Sequence, residues 1–188
     1  MDKKIIFLMG VSGSGKTTLT TELLKTYSNL ILVPSYTTRP MRENERNGRK
    51  YWHVSDEKFQ EMIKNGELLE YALVHNKFYY GTRLSEIEKA FEKGLIPIKE
   101  LDINGLQQVI QDDKGLNFVS IFLDLPDDKM VERIKFRGNV FQEEIDRRLA
   151  SAQTERVKAK EICDYIIDAS RTVKENLKKL NEIFEKIL

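Results

Sequence analysis

The chain opens on Ile5-Ile6-Phe7-Leu8-Met9, an unbroken apolar run between Lys4 and Gly10. A short run of this kind predicts a strand buried on both faces. The pattern recurs at NLILVPS (29–35), LIPIKEL (95–101), FVSIFLDL (118–125) and DYIID (164–168). Between these runs the apolar positions fall three and four apart, the spacing of one helical face. Helices are predicted at LTTELLKTY, with Leu19, Leu23 and Leu24 turned to the core, and at roughly 83–93, 104–112, 127–136, 143–161 and 172–187. The last carries Val173, Leu177, Leu180, Phe184 and Ile187 on one stripe. Strand and helix alternate, so the expected class is α/β, with a parallel sheet between helices.

Residues 36–82 break that alternation. They hold a strand-like YWHV, a helix opened by Ser55 with Asp56 and Glu57 behind it, and two further strand runs, LLEYALVH and KFYYG, joined through Asn76. A serine followed by acids suits a helix N-terminus, and two strand runs across an asparagine suit a hairpin. The segment is expected to form a small mixed α+β subdomain inserted into the parallel core.

Composition narrows the class without naming a chemistry. At 188 residues, with 40% apolar and 32% charged positions, the chain is an ordinary globular one. A net charge of +1 gives it no whole-molecule attraction for nucleic acid or anionic lipid, so any anion site is local. The apolar run at 5–9 is too short for a signal peptide or a membrane span. The lone Cys163 excludes an internal disulfide and suits a cytoplasmic location. His53 and His75 lack metal-ligand spacing with each other and with the cysteine.

The first chemical signal follows the first strand. Gly10-Val-Ser-Gly-Ser-Gly-Lys-Thr17 matches G-x-x-x-x-G-K-[ST] in full, with a strand before it and a helix after it. Gly10, Gly13 and Gly15 permit backbone turns that let successive N–H groups converge on phosphate oxygens. The loop Gly10, Ser12, Gly13, Ser14, Gly15, Lys16, Thr17 and Thr18 is the candidate cradle for a nucleoside triphosphate. Lys16 is placed for the β- and γ-phosphates and Thr17 for Mg²⁺.

The second signal is SYTTRPMRENERNGRKYW, Ser35 to Trp52, in which Arg39, Arg42, Arg46, Arg49 and Lys50 crowd one stretch of a nearly neutral chain. Arg39 and Arg42, beside Thr37, Thr38 and Tyr51, form a set able to clamp a second phosphate through planar guanidinium forks and hydroxyls. Arg46 and Arg49 are assigned no role.

The series S-x-T-T-R-x-x-R, K-Y-W-H-V-S, G-E-L-L-E-Y, Y-Y-G-T and L-D-I-N-G closely resembles guanylate kinase, essentially from residue 4 to 185. The resemblance implies a P-loop kinase core of residues 1–35 and 83–188, a helical lid at about 126–158 within it, and a GMP-binding subdomain at 36–82. It assigns the GMP phosphate to Arg39, Arg42, Tyr51 and Tyr80, and the guanine to Ser35, Glu70, Thr82 and Asp102. The chemistry agrees: a carboxylate accepts from guanine N1–H and the exocyclic amine, whereas adenine would turn a lone pair toward Glu70. Arg137 and Arg148 match lid positions that engage the transferring phosphoryl group and join Lys16 as catalytic candidates. ATP, GMP or dGMP, and Mg²⁺ are the implied substrates and cofactor, with no nucleic acid or membrane partner.

Three positions depart from the family pattern. The usual D-x-D-x-Q-G reads Glu100-Leu-Asp102-Ile-Asn104-Gly105 here, with Lys99 inside an otherwise apolar stretch; Glu100 becomes a further candidate for the cation. Asp168-Ala169-Ser170 stands where V-N-D is common, and Asn139 where threonine is. A kinase of another phosphate ester, such as a ribose bisphosphate, would not need the guanine-reading set. A non-catalytic domain of this kind would not need an intact Lys16-Thr17.

Overall fold

Nine strands and seven helices form among the described residues, which are 3–43, 45–74, 76–136, 138 and 140–187 of a computed structural model. The strands are β1 (Lys4–Gly10), β2 (Leu30–Leu32), β3 (Ser35–Thr37), β4 (Tyr51–His53), β5 (Leu68–Val74), β6 (Phe78–Arg83), β7 (Ile96–Glu100), β8 (Asn117–Asp124) and β9 (Tyr165–Asp168). The helices are α1 (Lys16–Thr26), α2 (Asp56–Lys64), α3 (Leu84–Glu92), α4 (Ile103–Asp112), α5 (Asp127–Phe136), α6 (Gln142–Ile162) and α7 (Val173–Ile187). A five-stranded parallel sheet runs in the order β2-β7-β1-β8-β9, and a four-stranded mixed sheet in the order β4-β3-β6-β5. The chain forms two compact units, one built on residues 29–99 and 104–117, the other on 6–28, 100–103 and 118–188. No helix among the described residues is long and apolar enough to cross a membrane.

In the first unit β2 pairs parallel with β7, Leu30 opposite Ile96 and Leu32 opposite Ile98. The sequence reads NLILVPS as one strand; the structure makes it two. Val33 N–H gives the last bond of the run to Ile98 O at 2.9 Å, and Pro34, with no N–H of its own, ends the ladder. Ser35 then opens β3 in the other sheet. Ser55 caps α2 as expected, its hydroxyl accepting from Lys58 N–H at 3.2 Å. The hairpin β5–β6 turns at Asn76, whose φ of +50° is one asparagine tolerates.

α2 lays Phe59 and Met62 onto Tyr36 and Leu68, with Trp52, Val54, Ile63 and Tyr79 around them. Gly81 lets that helix approach: a Cβ there would stand 2.9 Å from Glu70 O and 3.1 Å from the Phe59 ring. β5 is the sheet's edge, and its exposed ladder groups are taken by side chains from the same unit. Gln108 accepts from Tyr71 N–H at 2.9 Å and Lys114 donates to Leu68 O at 2.5 Å.

The second unit buries Ile6 to Met9, Leu19, Leu23, Ile121 to Leu123, Met130, Ile134, Leu180 and Phe184. The predicted α7 stripe buries Leu180 and Phe184 as expected, and only its first turn differs. Val173 is exposed, and Asn176 takes a buried place, its amide donating to Ala169 O at 3.2 Å and Arg171 O at 3.1 Å. Thr172 and Glu175 cap that helix reciprocally, which starts it at Val173.

Candidate active site

The second unit carries the phosphate loop. Gly10 ends β1 hard against β8, where a Cβ would lie 2.5 Å from Leu123 O, so only glycine fits. Gly13 and Gly15 hold φ of +81° and +90°, a region that favours glycine. Gly15 caps α1 with no side-chain bond, which leaves the first-turn amides facing outward along the helix axis. Those amides and the positive end of the helix form an anion cradle. Lys16 folds back over the loop, its Nζ donating to Gly10 O and, at 3.4 Å, to Val11 O. Thr17 Oγ1 donates to Glu100 Oε2 at 3.2 Å, bringing two of the candidate cation ligands together. Thr18 is exposed in the first turn of α1. Ser14 is 2% exposed, and its hydroxyl has no partner among the described residues.

Among the described residues, Arg148 and Arg133 reach this loop. Arg148, on α6, donates from Nε to Glu144 at 2.7 Å and approaches Ser12 Oγ from Nη1 at 3.4 Å. Arg133, on α5, holds the loop. Its Nη1 donates to Gly13 O at 3.1 Å and its Nη2 to Ala169 O at 3.1 Å. Nothing in a helical charge pattern separates such an arginine from a solvated one. Arg137, the other lid candidate, lies outside the described residues, as do His75 and Asn139. Cys163 is half-buried, and burial pushes its thiol up to about 11, so it is protonated and unreactive near neutral pH.

The first unit carries the other candidates, and strand register explains how. Ser35 pairs with Tyr51 across β3–β4. Tyr36 pairs with Gly81 and Thr37 with Tyr80 across β3–β6, a register that puts Ser35 opposite Thr82 one step further on. Thr82 pairs with Glu70 across β6–β5. Tyr51, Ser35, Thr82 and Glu70 therefore form one row across four strands. His53, Thr37, Tyr80 and Ala72 form the next row on the same face, since alternate residues of a strand share a face. The other face, with Tyr36 and Trp52, is the one packed against α2. One face of the small sheet is thus core and the other carries the candidate site residues.

Within the row, Thr82 Oγ1 donates to Glu70 Oε1 at 2.5 Å, both residues buried. That bond fixes the carboxylate. In the loop after β3, Arg39 stands against the Tyr51 ring at 5.4 Å and donates from Nε to Tyr80 Oη at 3.1 Å. Its Nη2 is held by both oxygens of Glu45, at 2.7 and 2.9 Å, and Arg42 N–H reaches the same carboxylate at 2.9 Å. The Arg39 guanidinium and the Arg42 amide together hold the Glu45 carboxyl down to about 2. Glu45 was not foreseen: an acid among basic loop residues reads as charge balance. Arg42, Arg46 and Arg49 are exposed, and so is Asp102, just past β7.

Comparison with known proteins shows the family. The family model described as guanylate kinase matches residues 2–187. The chain is 38% identical over 180 residues to a guanylate kinase of Prochlorococcus marinus subsp. pastoris, covering 94% of this chain and 96% of that protein. It is 37% identical over 183 residues to one of Helicobacter pylori, covering 97% and 84%. Among solved structures, that of guanylate kinase from Anaplasma phagocytophilum superposes with a TM-score of 0.72 at 26% identity, covering 97% of this chain and 84% of that one.

Proposed function

The chain belongs to the guanylate kinase family and is a kinase, and from that premise we propose that it transfers the γ-phosphoryl group of ATP to GMP, and also to dGMP, giving ADP and the nucleoside diphosphate. The observation that carries the substrate is the row Ser35–Thr82–Glu70, with Tyr51 at its end and Tyr80 one pair along on the same face. A buried carboxylate held by a threonine hydroxyl accepts from guanine N1–H and the 2-amine, while Ser35 donates to O6. Arg39, Arg42, Tyr51 and Tyr80 take the GMP phosphate. Asp102 is carried as a further guanine reader on the family resemblance alone. The segment 36–82 is accordingly the GMP-binding part, and a lid at about 126–158 carries Arg137 and Arg148.

The chemistry needs no protein base, because the attacking oxygen belongs to a phosphate that is already anionic. What the chain supplies is position and positive charge. The amides of residues 10–18 and Lys16 hold the β- and γ-phosphates of ATP. Arg148 and Arg137 neutralise charge on the transferring group. Arg133 keeps Gly13 in place and so fixes the loop rather than touching substrate. Thr17 Oγ1 and Glu100 Oε2 are hard oxygen donors of the kind Mg²⁺ takes beside substrate phosphates, and their contact fits that ion. Bound there, Mg²⁺ shields the phosphate charge. The reaction belongs to cytoplasmic purine nucleotide metabolism.

The division of roles is tested by two variants. Glu70→Ala is expected to lower the preference for GMP over AMP, in kcat/KM, by about a hundredfold or more. Arg42→Ala is expected to weaken every nucleotide acceptor alike, by about tenfold or more, since it removes a charge-assisted phosphate contact. If both variants relaxed base preference equally, the division would be wrong.

A further inference from the structure

Lys99 lies in β7 at a position where the strand pattern calls for an apolar side chain, and it is only 2% exposed. An ammonium is costly to bury unless its donors are used. This one is used on the first unit's polar row: Nζ donates to Ser35 Oγ at 2.7 Å and to Val33 O at 3.3 Å. Those acceptors flank Pro34, the break that carries the chain from one sheet to the other.

We propose that Lys99 is a specificity-determining positioning residue, acting through Ser35 to select a purine with an oxo group at position 6; the inference rests on the guanylate kinase reading above. A serine hydroxyl on its own is ambiguous, because it donates to an oxo group or accepts from an amino group with equal ease. A lysine ammonium only donates. Its bond to Ser35 Oγ takes one of the hydroxyl's two acceptor lone pairs and turns the hydroxyl proton away from Nζ, toward a ligand. Accepting from a cation also makes that hydroxyl a stronger donor.

The row then has a polarity. Its Ser35 end carries the ammonium and a donor hydroxyl, and its Glu70 end carries a carboxylate held by Thr82. Guanine presents O6, then N1–H, then the 2-amine, which is the complementary order. Adenine presents a 6-amine to the donor end and a bare N1 to the carboxylate, a mismatch at both ends. Without the cation, Ser35 could rotate and accept the 6-amine. Lys99 biases the hydroxyl against that option without touching the base.

The test is steady-state kinetics on Lys99→Met, which keeps the stem's volume and drops the charge. GMP and AMP serve as acceptors and ATP is varied separately. The expected result is a KM for GMP raised about tenfold and a GMP-over-AMP preference reduced by at least that factor. The KM for ATP and kcat with GMP should stay within about twofold, and Lys99→Arg should restore the preference, at least in part. In a Ser35→Ala background the Lys99→Met change should add less than about twofold, because the path through Ser35 is already cut. Unchanged GMP kinetics in folded Lys99→Met would overturn the proposal. So would a loss shared by GMP and ATP alike, or full additivity with Ser35→Ala. Should Lys99→Met fail to fold, Lys99→Gln takes its place with the same expectations, since its amide can still bond Val33 O. An unmodified enzyme that does not prefer GMP refutes the guanylate reading itself; an unmodified enzyme that prefers GMP beside an indifferent variant refutes only the role of Lys99.

Discussion

Glu45 sets the behaviour of the loop after β3 more than any arginine in it. It joins the Arg39 guanidinium to the Arg42 amide, and so preorganises two of the proposed phosphate ligands before a substrate arrives. The fold lowers its carboxyl from an ordinary 4.5 to about 2, which means that folding favours the charged form. The stabilisation is therefore whole above pH 4.5 and is lost as pH falls through about 2. Thermal unfolding of the unmodified protein and Glu45→Gln across that window should show it. The unmodified protein is expected to unfold at the higher temperature above pH 5, with the gap closing toward pH 2. A gap that is constant with pH would mean that the ion pair is not the source. At this scale the sequence is legible where a residue type has one use, as in Gly10 to Thr17. It is opaque where one residue type serves as surface and as brace, as Arg133 does beside Arg147. Arg147 pairs with Glu144 in the open, while Arg133 holds Gly13 and Ala169.

The four-stranded sheet explains why the guanine-reading candidates are scattered in sequence. Ser35, Glu70 and Thr82 come from three strands, and only the register β3–β6–β5 makes them neighbours. The alternation that turns them to one face turns Tyr36, Trp52 and Gly81 to the other, so site and core are specified by the same period of two. Gly81 is where the two demands meet. Gly81→Ala puts a Cβ 2.9 Å from Glu70 O and 3.1 Å from Phe59, and is expected to cost about 1–3 kcal/mol of unfolding free energy in chemical denaturation. A cost under about 0.5 kcal/mol would show that α2 does not press on the sheet there. Strand and helix types were legible from periodicity, because long apolar runs and helical spacing leave few alternatives. The break at Pro34 was not read, since its neighbours are as apolar and β-prone as any strand. Only the first turn of the α7 stripe was misread, because a buried asparagine, whose amide N–H groups bond the Ala169 and Arg171 carbonyls, has no apolar signature.

Across the whole molecule, the class and the family were legible because two independent anion-binding patterns sit on an α/β alternation, and each has its own physical logic. The phosphate loop alone fits many enzymes. The polar row with its arginine loop is the proposed reader of a nucleotide with a guanine-like edge. The departures at Glu100, Lys99 and Asp168-Ala169-Ser170 bear on different parts of the machinery. Glu100 meets Thr17, Lys99 meets Ser35, and the carbonyls of Ala169 and Ser170 receive Arg133. Family membership does not by itself fix the base that these positions select. The most direct measurement is ADP release by the unmodified protein with ATP and Mg²⁺, offered GMP, dGMP, AMP, UMP and a ribose bisphosphate in turn. The expected result is turnover with GMP and dGMP at a kcat/KM at least about a hundredfold above the rest. Equal turnover of AMP, or preference for the ribose bisphosphate, would contradict it.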